Sequence, residues 1–563
     1  MALRLVEHRA QRADVMLLAV VVSVSCALYV HKIGFYSDDW TFLAALSRYG
    51  DYSHVGRPDI INWADYLDPR PVQMVYQWLL FAAFGMQPLG YHIVNSLILV
   101  TGAVLFYMSA ARLGATRAIA FAVPVVYALL PHYSTGRFWF AAFGYPLAIL
   151  CCFAHLYINL RATTERGSRL GWWKTMGVIS CAFGALGYEI ALPLLVANIV
   201  VVTWHVRRIN AGTGPVGLRR LVAFWSVDIA VLAAAVLYKV TIPGGIEAPS
   251  DLVMHSLRLL AGSVVISFGS FGIGLAEASR WGVAVAGIPT LVASAGVMVA
   301  VFVHLMKCTR QPWLGRRAAA RLAAGGLAVF LLGYSVFIFT TRIYFSSSGI
   351  SNRVAIAGTI GFAMVTVALA ALVSSFLRSE VVRRTSFSLL ISLLCGAGLL
   401  VTTGLADQWS LAWQREQEVV DVMSGVEIPE GATVLLDGVC PYVGPAPVFE
   451  SSWDLTGALE LLYDDPGIRA DVTTTRHWLE STGITTEIYG SIRAHYSYGN
   501  DLILIRYPQT RFMTLTNRRI AEGALDDETH LPDGCSPGIA GAGQPLFSID
   551  GIYHRFEQRY LWP

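Results

Sequence analysis

The sequence predicts an α-helical polytopic membrane protein that ends in a small α/β or β-rich domain. Hydrophobic residues make up 55% of the 563 residues and charged residues only 14%, and the mean hydropathy is +0.54. Apolar runs of roughly 18 to 25 residues, enough for a helix to cross about 30 Å of hydrocarbon, recur from Asp14 to Leu405 and then stop. This composition excludes an ordinary soluble protein.

Eleven membrane-spanning helices are predicted in residues 1–405. They cover residues 14–30, 89–111, 118–130, 141–160, 175–187, 190–206, 221–242, 282–306, 322–341, 354–377 and 386–405. Two more apolar segments, residues 72–84 and 257–275, are respectively too short and too rich in glycine and serine for a comfortable span. They are predicted as interfacial or re-entrant helices on the outer side. The first run has no small-residue cleavage site after it, which indicates a retained helix.

Basic residues predict the orientation of the chain. They fall in alternate connections between spans, as at Arg112 and Arg117 or at Arg207 and Arg208, and the positive-inside rule makes these connections cytoplasmic. The N-terminus is then inside, the long loop 31–88 is outside, and an odd number of spans places residues 406–563 outside as well.

Composition also limits the partners and the source. The net charge of +3 is small and the basic residues lie in short blocks, so nucleic acid is excluded as a partner. Lysine is rare, whereas arginine, alanine, glycine and valine are abundant. This bias is typical of GC-rich genomes and predicts a bacterial plasma membrane.

Residues 406–563 differ in pattern from the rest of the chain. Short apolar runs such as "ATVLLDG" and "NDLILIRY" alternate with turn-forming stretches such as "YDDPGI", which predicts a small α/β or mostly β domain. Cys440 and Cys535 are the only cysteines in this region. If the domain is outside the cytoplasm they are candidates for one disulfide.

The stretch "IGFYSDDWTFL" places two adjacent carboxylates, Asp38 and Asp39, just beyond the first predicted span. One interpretation is a solvated turn at the membrane boundary. The other is a general base, because the aromatic neighbours Tyr36, Trp40 and Phe42 lower the local polarity and raise the pKa of a carboxylate. Two adjacent carboxylates also repel each other, so one of them would hold a proton or find a cation.

Further motifs follow in a fixed order. An Arg-Pro pair in the outer loop precedes a "YHIVN" span start, and "LLPHYSTGRFWFAAFGYPL" and "GALGYEIALPLLV" come later. With the aspartate pair, this order resembles the GT-C superfamily of integral membrane glycosyltransferases, in particular the bacterial proteins akin to protein O-mannosyltransferases. The resemblance covers roughly residues 35–200, and the second half of the chain only in general architecture.

The resemblance implies a GT-C-like fold and transfer of a hexosyl or pentosyl group, with inversion, from a polyprenyl-phosphate sugar. The acceptor would be a protein, lipid or polysaccharide on the outer face. It also implies a catalytic base in the first outer loop, which matches Asp38 and Asp39. Family members often carry Asp-Glu there, so either residue can be the base. They also often carry Ser-Lys-Glu where this chain has "GYE", ending at Glu189.

Sugar transfer also needs a cation beside the departing lipid phosphate, a task that suits the planar fork of arginine. Arg353, Arg137 and Arg342 are the candidates for binding the donor phosphate, and each could instead anchor lipid headgroups. Other residues expected to line the site are Glu189, Arg70 and His92. A divalent metal is possible, but no spacing matches a compact ligand motif, so no metal ligand is assigned.

Two other classes of protein fit a polytopic chain with charges near its spans. One is a transporter or flippase of lipid-linked sugars, although no internal repeat of the kind found in transporters is evident. The other is a non-catalytic membrane assembly partner.

Overall fold

The computed structural model describes residues 2–50, 68–210, 218–242, 251–309, 315–340, 345–473, 476–488, 492–521, 525 and 535. Helices dominate up to residue 424. They are α1 (Ala2–Ala27), α2 (Asp38–Tyr49), α3 (Pro71–Phe84), α4 (Pro88–Arg112), α5 (Arg117–Leu129), α6 (Thr135–Phe138), α7 (Gly144–Ala162), α8 (Gly167–Gly187), α9 (Ala191–Ile209), α10 (Leu218–Thr241), α11 (Leu252–Val264), α12 (Leu275–Val285), α13 (Ile288–Cys308), α14 (Arg316–Ser335), α15 (Ile356–Ser375) and α16 (Glu380–Ser424).

Ten segments within the described residues are long and apolar enough to cross a membrane. Nine of them lie at predicted spans, which confirms a polytopic helical protein. The remaining two predicted spans are also helical: α5 has 13 residues and α8 has 21. The predicted interfacial segment 72–84 is α3, which starts with Pro71 in the first turn, where a missing N–H costs no hydrogen bond.

The tenth segment, Leu252–Ile273, consists of α11 and a π-helical stretch, Val265–Ile273. It was predicted as interfacial or re-entrant, and its length alone would let it span. His255 Nε2 bonds to the carbonyl of Phe337 at 2.9 Å, and the Ser267 hydroxyl bonds to the Tyr334 hydroxyl at 3.1 Å. The segment therefore packs against the C-terminal end of α14 and the turn that follows it, and its interfacial or re-entrant placement stays a prediction.

Helix α16 is much longer than the predicted span 386–405, because it continues without a break to Ser424. The predicted domain boundary at 405/406 therefore lies inside a helix. Residues 406–424 extend it beyond the hydrocarbon thickness and carry Trp409, Trp413 and Glu416 to the first outer loop. One hydrophobic core runs from the membrane helices through this extension into the C-terminal domain.

The described residues of the C-terminal domain form three small sheets. Its strands are β1 (Thr433–Asp437), β2 (Tyr442–Val443), β3 (Ala446–Pro447), β4 (Arg469–Val472), β5 (Arg476–Leu479), β6 (Gly483–Ile488), β7 (Ile492–Ser497), β8 (Leu502–Arg506) and β9 (Phe512–Thr514). The main sheet has the order β4-β1-β8-β9, with β1 parallel to both neighbours, and the antiparallel sheet has the order β5-β6-β7. Helices α17 (Ser452–Tyr463) and α18 (Asn517–Ala521) complete this α/β domain. Cys440 and Cys535 form a disulfide.

Helix α17 packs directly on α2 of the first outer loop. A Cβ at Gly457 would lie 2.6 Å from the backbone of Trp40 and Thr41, and the Thr41 hydroxyl donates to the carbonyl of Trp453 at 2.6 Å. The start of the first outer loop and the C-terminal domain therefore lie on the same side of the membrane.

Candidate active site

The segment between α1 and α2 is held by hydrogen bonds to three other parts of the chain. The carbonyl of Gly34 accepts from His92 Nε2 at 3.1 Å, and the carbonyl of Tyr36 accepts from Trp139 Nε1 at 2.9 Å. The Tyr36 hydroxyl donates to the carbonyl of Trp409 at 2.7 Å. Side chains from α4 and the α6–α7 connection, together with a backbone carbonyl of α16, thus fix the position from which the aspartate pair starts.

Asp39 is fully buried and bonded to the backbone. Its Oδ2 accepts from the N–H of Tyr36 at 2.9 Å and its Oδ1 from the N–H of Ala141 at 2.8 Å, and its exposed fraction is 0%. Burial raises the pKa of Asp39, although the backbone donors oppose this. Oδ2 thus stabilises the turn that leads into α2, and Oδ1 joins the first outer loop to the α6–α7 connection. Both oxygens are buried among backbone donors, so Asp39 is a structural residue in this arrangement.

Asp38 is only half-buried and its surroundings are of a different kind. Its Oδ1 accepts from Trp453 Nε1 at 3.0 Å and from the Ser37 hydroxyl at 3.4 Å. Burial raises the pKa of Asp38 to about 6, against the opposing effects of the positive charge of Arg353 and of the hydrogen bonds from Trp453 and Ser37. A carboxylate with this pKa is ionised at neutral pH and basic enough to take a proton.

Ser37, the residue before Asp38, has a φ of 48°. Positive φ is uncommon outside glycine and persists only where the surroundings impose it. The Ser37 hydroxyl contacts Glu450 Oε1 at 3.2 Å as well as Asp38, so the C-terminal domain contributes to this backbone geometry.

Arg353 lies on the short 3₁₀-helix Ile350–Ala355, within electrostatic range of Asp38. Its Nη1 donates to the carbonyl of Ile350 at 2.8 Å, and its guanidinium lies 4.9 Å from the ring centre of Trp139. Tyr145 and Tyr188 also lie within electrostatic range of Arg353. A cation predicted for phosphate binding therefore lies in the same region as the predicted base.

An aromatic pair and an ion cluster border this group. The ring centres of Tyr145 and Tyr188 are 3.9 Å apart, and the Arg70 guanidinium lies 4.2 Å from the centre of the Tyr188 ring. Arg70 Nε donates to Glu189 Oε2 at 3.0 Å, and Lys239 Nζ donates to Glu189 Oε1 at 2.8 Å.

Glu189 is thus the centre of a cluster with two cations. Desolvation raises the pKa of this carboxyl, but the charges of Arg70 and Lys239 outweigh it and lower the pKa to about 2. The cluster carries one excess positive charge beside the aromatic pair. It also holds the loop at Pro69, whose carbonyl accepts from Lys239.

The structure places the other predicted site residues elsewhere. Arg137 is enclosed, with 2% exposure, where it donates to the carbonyl of Ala128 and to the Tyr133 hydroxyl, so it has no access to a lipid phosphate. His92 is a buried residue that supports Gly34 and does not line a pocket. Arg342 lies outside the described residues.

Sequence reasoning missed three contributors to the site. Tyr145 and Trp139 belong to the quoted "FWFAAFGYPL" stretch, so the aromatic character of that motif was an available signal. The residues around Trp453 in the sequence do not indicate a role in the site, because its contact with Asp38 depends on how the C-terminal domain packs on α2.

Potential metal ligands cluster away from Asp38. In the part of the chain that the structure describes, two groups have ligand atoms close enough together: Asp14, His304 and Cys308, and His155, Cys181 and Asp228. In each group the aspartate is already paired with a cation, Arg117 or Lys174. Asp38 belongs to neither group.

Comparisons with known proteins were made by family model, sequence and structure. No family model matches the chain, and no curated protein matches its sequence. Solved structures do match. ArnT from Cupriavidus metallidurans bound to undecaprenyl phosphate is 14% identical, with a TM-score of 0.34, over 79% of this chain and 87% of ArnT. The apo state of the same ArnT is 15% identical, with a TM-score of 0.36, over 79% and 88%.

A second protein found is the Archaeoglobus fulgidus oligosaccharyltransferase tethered to an acceptor peptide containing the NVT sequon. It is 13% identical, with a TM-score of 0.37, over 80% of this chain and 63% of its own. Because the identities and TM-scores are too low to carry function over, the function is inferred from this chain's own residues.

Proposed function

We propose that this protein is a membrane glycosyltransferase that moves a sugar from a polyprenyl-phosphate donor to an acceptor on the outer face of the membrane. The observation that supports this most directly is the juxtaposition of Asp38 and Arg353. A half-buried carboxylate with a pKa of about 6 and a guanidinium lie within electrostatic range of each other, and the guanidinium is close to the rings of Trp139, Tyr145 and Tyr188. Aromatic faces of this kind pack well against the apolar faces of sugar rings.

Asp38 and Arg353 suit the two ends of a single nucleophilic displacement at the anomeric carbon of the donor sugar. The acceptor oxygen attacks the anomeric carbon while Asp38 takes the hydroxyl proton. The bond between that carbon and the phosphate oxygen breaks, and the polyprenyl phosphate leaves with the electron pair. Attack opposite the leaving group inverts the anomeric centre. Asp38 afterwards releases the proton to water.

Arg353 stabilises the charge that grows on the leaving phosphate. A guanidinium binds two phosphate oxygens at once, and it acts strongly where aromatic side chains exclude water. The Arg70 and Lys239 cluster, with its excess positive charge, adds to the positive potential on this side of the pocket.

The test is transfer of radiolabel from undecaprenyl-phosphate mannose, glucose or arabinose, each in turn, to an envelope extract by membranes containing the chain. Asp38→Asn should lower transfer by at least about a hundredfold, because loss of a positioned base costs about 10²- to 10⁴-fold. Asp421→Asn, a matched change at an exposed position, should leave transfer unchanged.

Other outcomes would contradict the proposal. Full transfer by Asp38→Asn would show that Asp38 is not the general base. Movement of intact donor across the membrane without bond formation would indicate a flippase. Absence of both activities with every donor would favour an assembly partner.

A further inference from the structure

The C-terminal domain reaches the candidate base directly. Helix α17 starts after Ser451 with a capping box, in which the side chains of Ser451 and Asp454 bond each other's backbone. This fixes the first turn of α17, where Trp453 lies with only 8% of its surface exposed. Its indole Nε1 donates to Asp38 Oδ1 at 3.0 Å.

The contact distinguishes the two oxygens of Asp38. Within the described residues, both side-chain hydrogen bonds to this carboxylate, from Trp453 and from Ser37, end on Oδ1. Oδ2 is then the oxygen that remains for an acceptor hydroxyl. Because an indole N–H is a donor only, Trp453 favours the ionised carboxylate and cannot itself exchange a proton with it.

We propose that Trp453 is a positioning residue for Asp38, so that the C-terminal domain completes the active site formed by the membrane helices. This inference rests on the proposed function. Trp453 orients the carboxylate with Oδ2 toward the acceptor and keeps it ionised in a desolvated pocket. Catalysis therefore depends on docking of the C-terminal domain, because α17 supplies the N–H that the membrane helices do not.

Other charged groups near Asp38 also influence its protonation, and a test of Trp453 must leave them unchanged. Arg353, from the 3₁₀-helix before α15, stabilises the ionised form, and Asp39, its neighbour in α2, opposes it. Glu450 of the C-terminal domain approaches through the Ser37 hydroxyl. These groups stay in place when the indole N–H alone is removed, so a change in the titration of Asp38 reports on Trp453.

The experiment is a pH–rate profile of the full chain in membranes with the labelled donors named above. In the native protein, transfer should fall as the pH drops through about 6, where Asp38 takes up a proton. Trp453→Phe keeps the aromatic bulk but removes the N–H. The loss of a hydrogen bond to a charged group raises a carboxylate pKa by about one to two units. The acid limb should therefore shift to higher pH, with transfer at pH 6.5 reduced by roughly tenfold and largely recovered at pH 8.5.

A control and a second variant separate this effect from misfolding. Trp478→Phe makes the same change in strand β5, where the indole faces Arg493 and not Asp38, and it should leave the profile unchanged. Benzothienylalanine at position 453 replaces the indole N–H with sulfur at nearly constant shape, and it should reproduce the shift even if the phenylalanine variant is unstable.

The outcomes also separate the two proposals. If the native protein transfers sugar and Asp38→Asn does not, but both position-453 variants keep the native acid limb, Trp453 has no positioning role. A loss that is equal at every pH would likewise overturn the inference, because it would indicate weakened docking alone. If Asp38→Asn retains full transfer, the proposed function itself fails.

Discussion

Asp38 and Asp39 are adjacent in the sequence, but their side chains lie in different environments. Asp39 accepts two backbone N–H groups in the core, and Asp38 faces Arg353 and Trp453 at the edge of the pocket. Successive residues of a helix point about 100° apart. One of them can therefore hold the loop while the other stays available for the proposed role as base.

We predict that Asp39→Asn acts mainly on stability. An asparagine can accept only one of the two N–H groups, and its NH₂ would face the other. An unsatisfied buried donor costs about 1 to 3 kcal/mol. The variant should unfold at lower temperature in detergent and accumulate less in membranes than Asp38→Asn does. Equal thermal stability of the two variants would mean that the backbone contacts of Asp39 contribute little.

At the residue scale, the sequence singles out a residue where the signal is local, as it does for the aspartate pair with its aromatic neighbours. Partners from distant parts of the chain carry no such signal. Lys239 of α10 pairs with Glu189, and Asp228 of the same helix pairs with His155 at 3.2 Å. Arg137 and Arg353 were indistinguishable in sequence, since both follow polar stretches near span ends, and only burial separates them.

At the element scale, helix positions could be predicted because about 20 apolar residues are required for each span. The length of α16 could not be predicted in the same way. Its extension from 406 to 424 is amphipathic, and it packs on the C-terminal domain and the first loop rather than on lipid. In this extension Glu416 accepts from Trp40 Nε1 at 3.0 Å, and the Trp413 ring stacks on that of Trp40. Such an extension is missed when only continuous apolar runs are sought, because its polar face interrupts the run.

The contact between α2 and α17 gives an element-scale prediction. A methyl group at Gly457 would lie 2.6 Å from backbone atoms of Trp40 and Thr41, which cannot move aside as a flexible side chain does. Gly457→Ala should therefore push α17 away from α2 and lower sugar transfer at every pH.

The measurement is transfer together with limited proteolysis of the C-terminal domain. Gly171→Ala is the matched control, since a methyl group there meets nothing within 4 Å, and it should leave both readouts unchanged. Native transfer by Gly457→Ala would show that close docking of α17 is not required.

At the scale of the whole molecule, the same-side placement of the first loop and the C-terminal domain does not depend on counting spans. It follows from the direct contacts of α2 with α17, and from Lys32, which pairs with Asp407 of α16 at 3.1 Å. If the N-terminus is cytoplasmic, as the arginine pattern predicts, the site and the domain are both outside. A disulfide between Cys440 and Cys535 fits an oxidising compartment.

The last prediction concerns this orientation. A fluorescent reporter that is active only in the cytoplasm should be dark when fused after Pro563 and bright when fused after Asn210, which lies in a predicted cytoplasmic connection. In unreduced samples, Cys440 and Cys535 should resist alkylation in the denatured chain, and reduction should expose both. Because a bridge across 95 residues restricts the unfolded chain, reduction should destabilise the C-terminal domain by about 2 to 4 kcal/mol. A bright fusion after Pro563, or free thiols at both positions in the native protein, would place the domain in the cytoplasm and the candidate site with it.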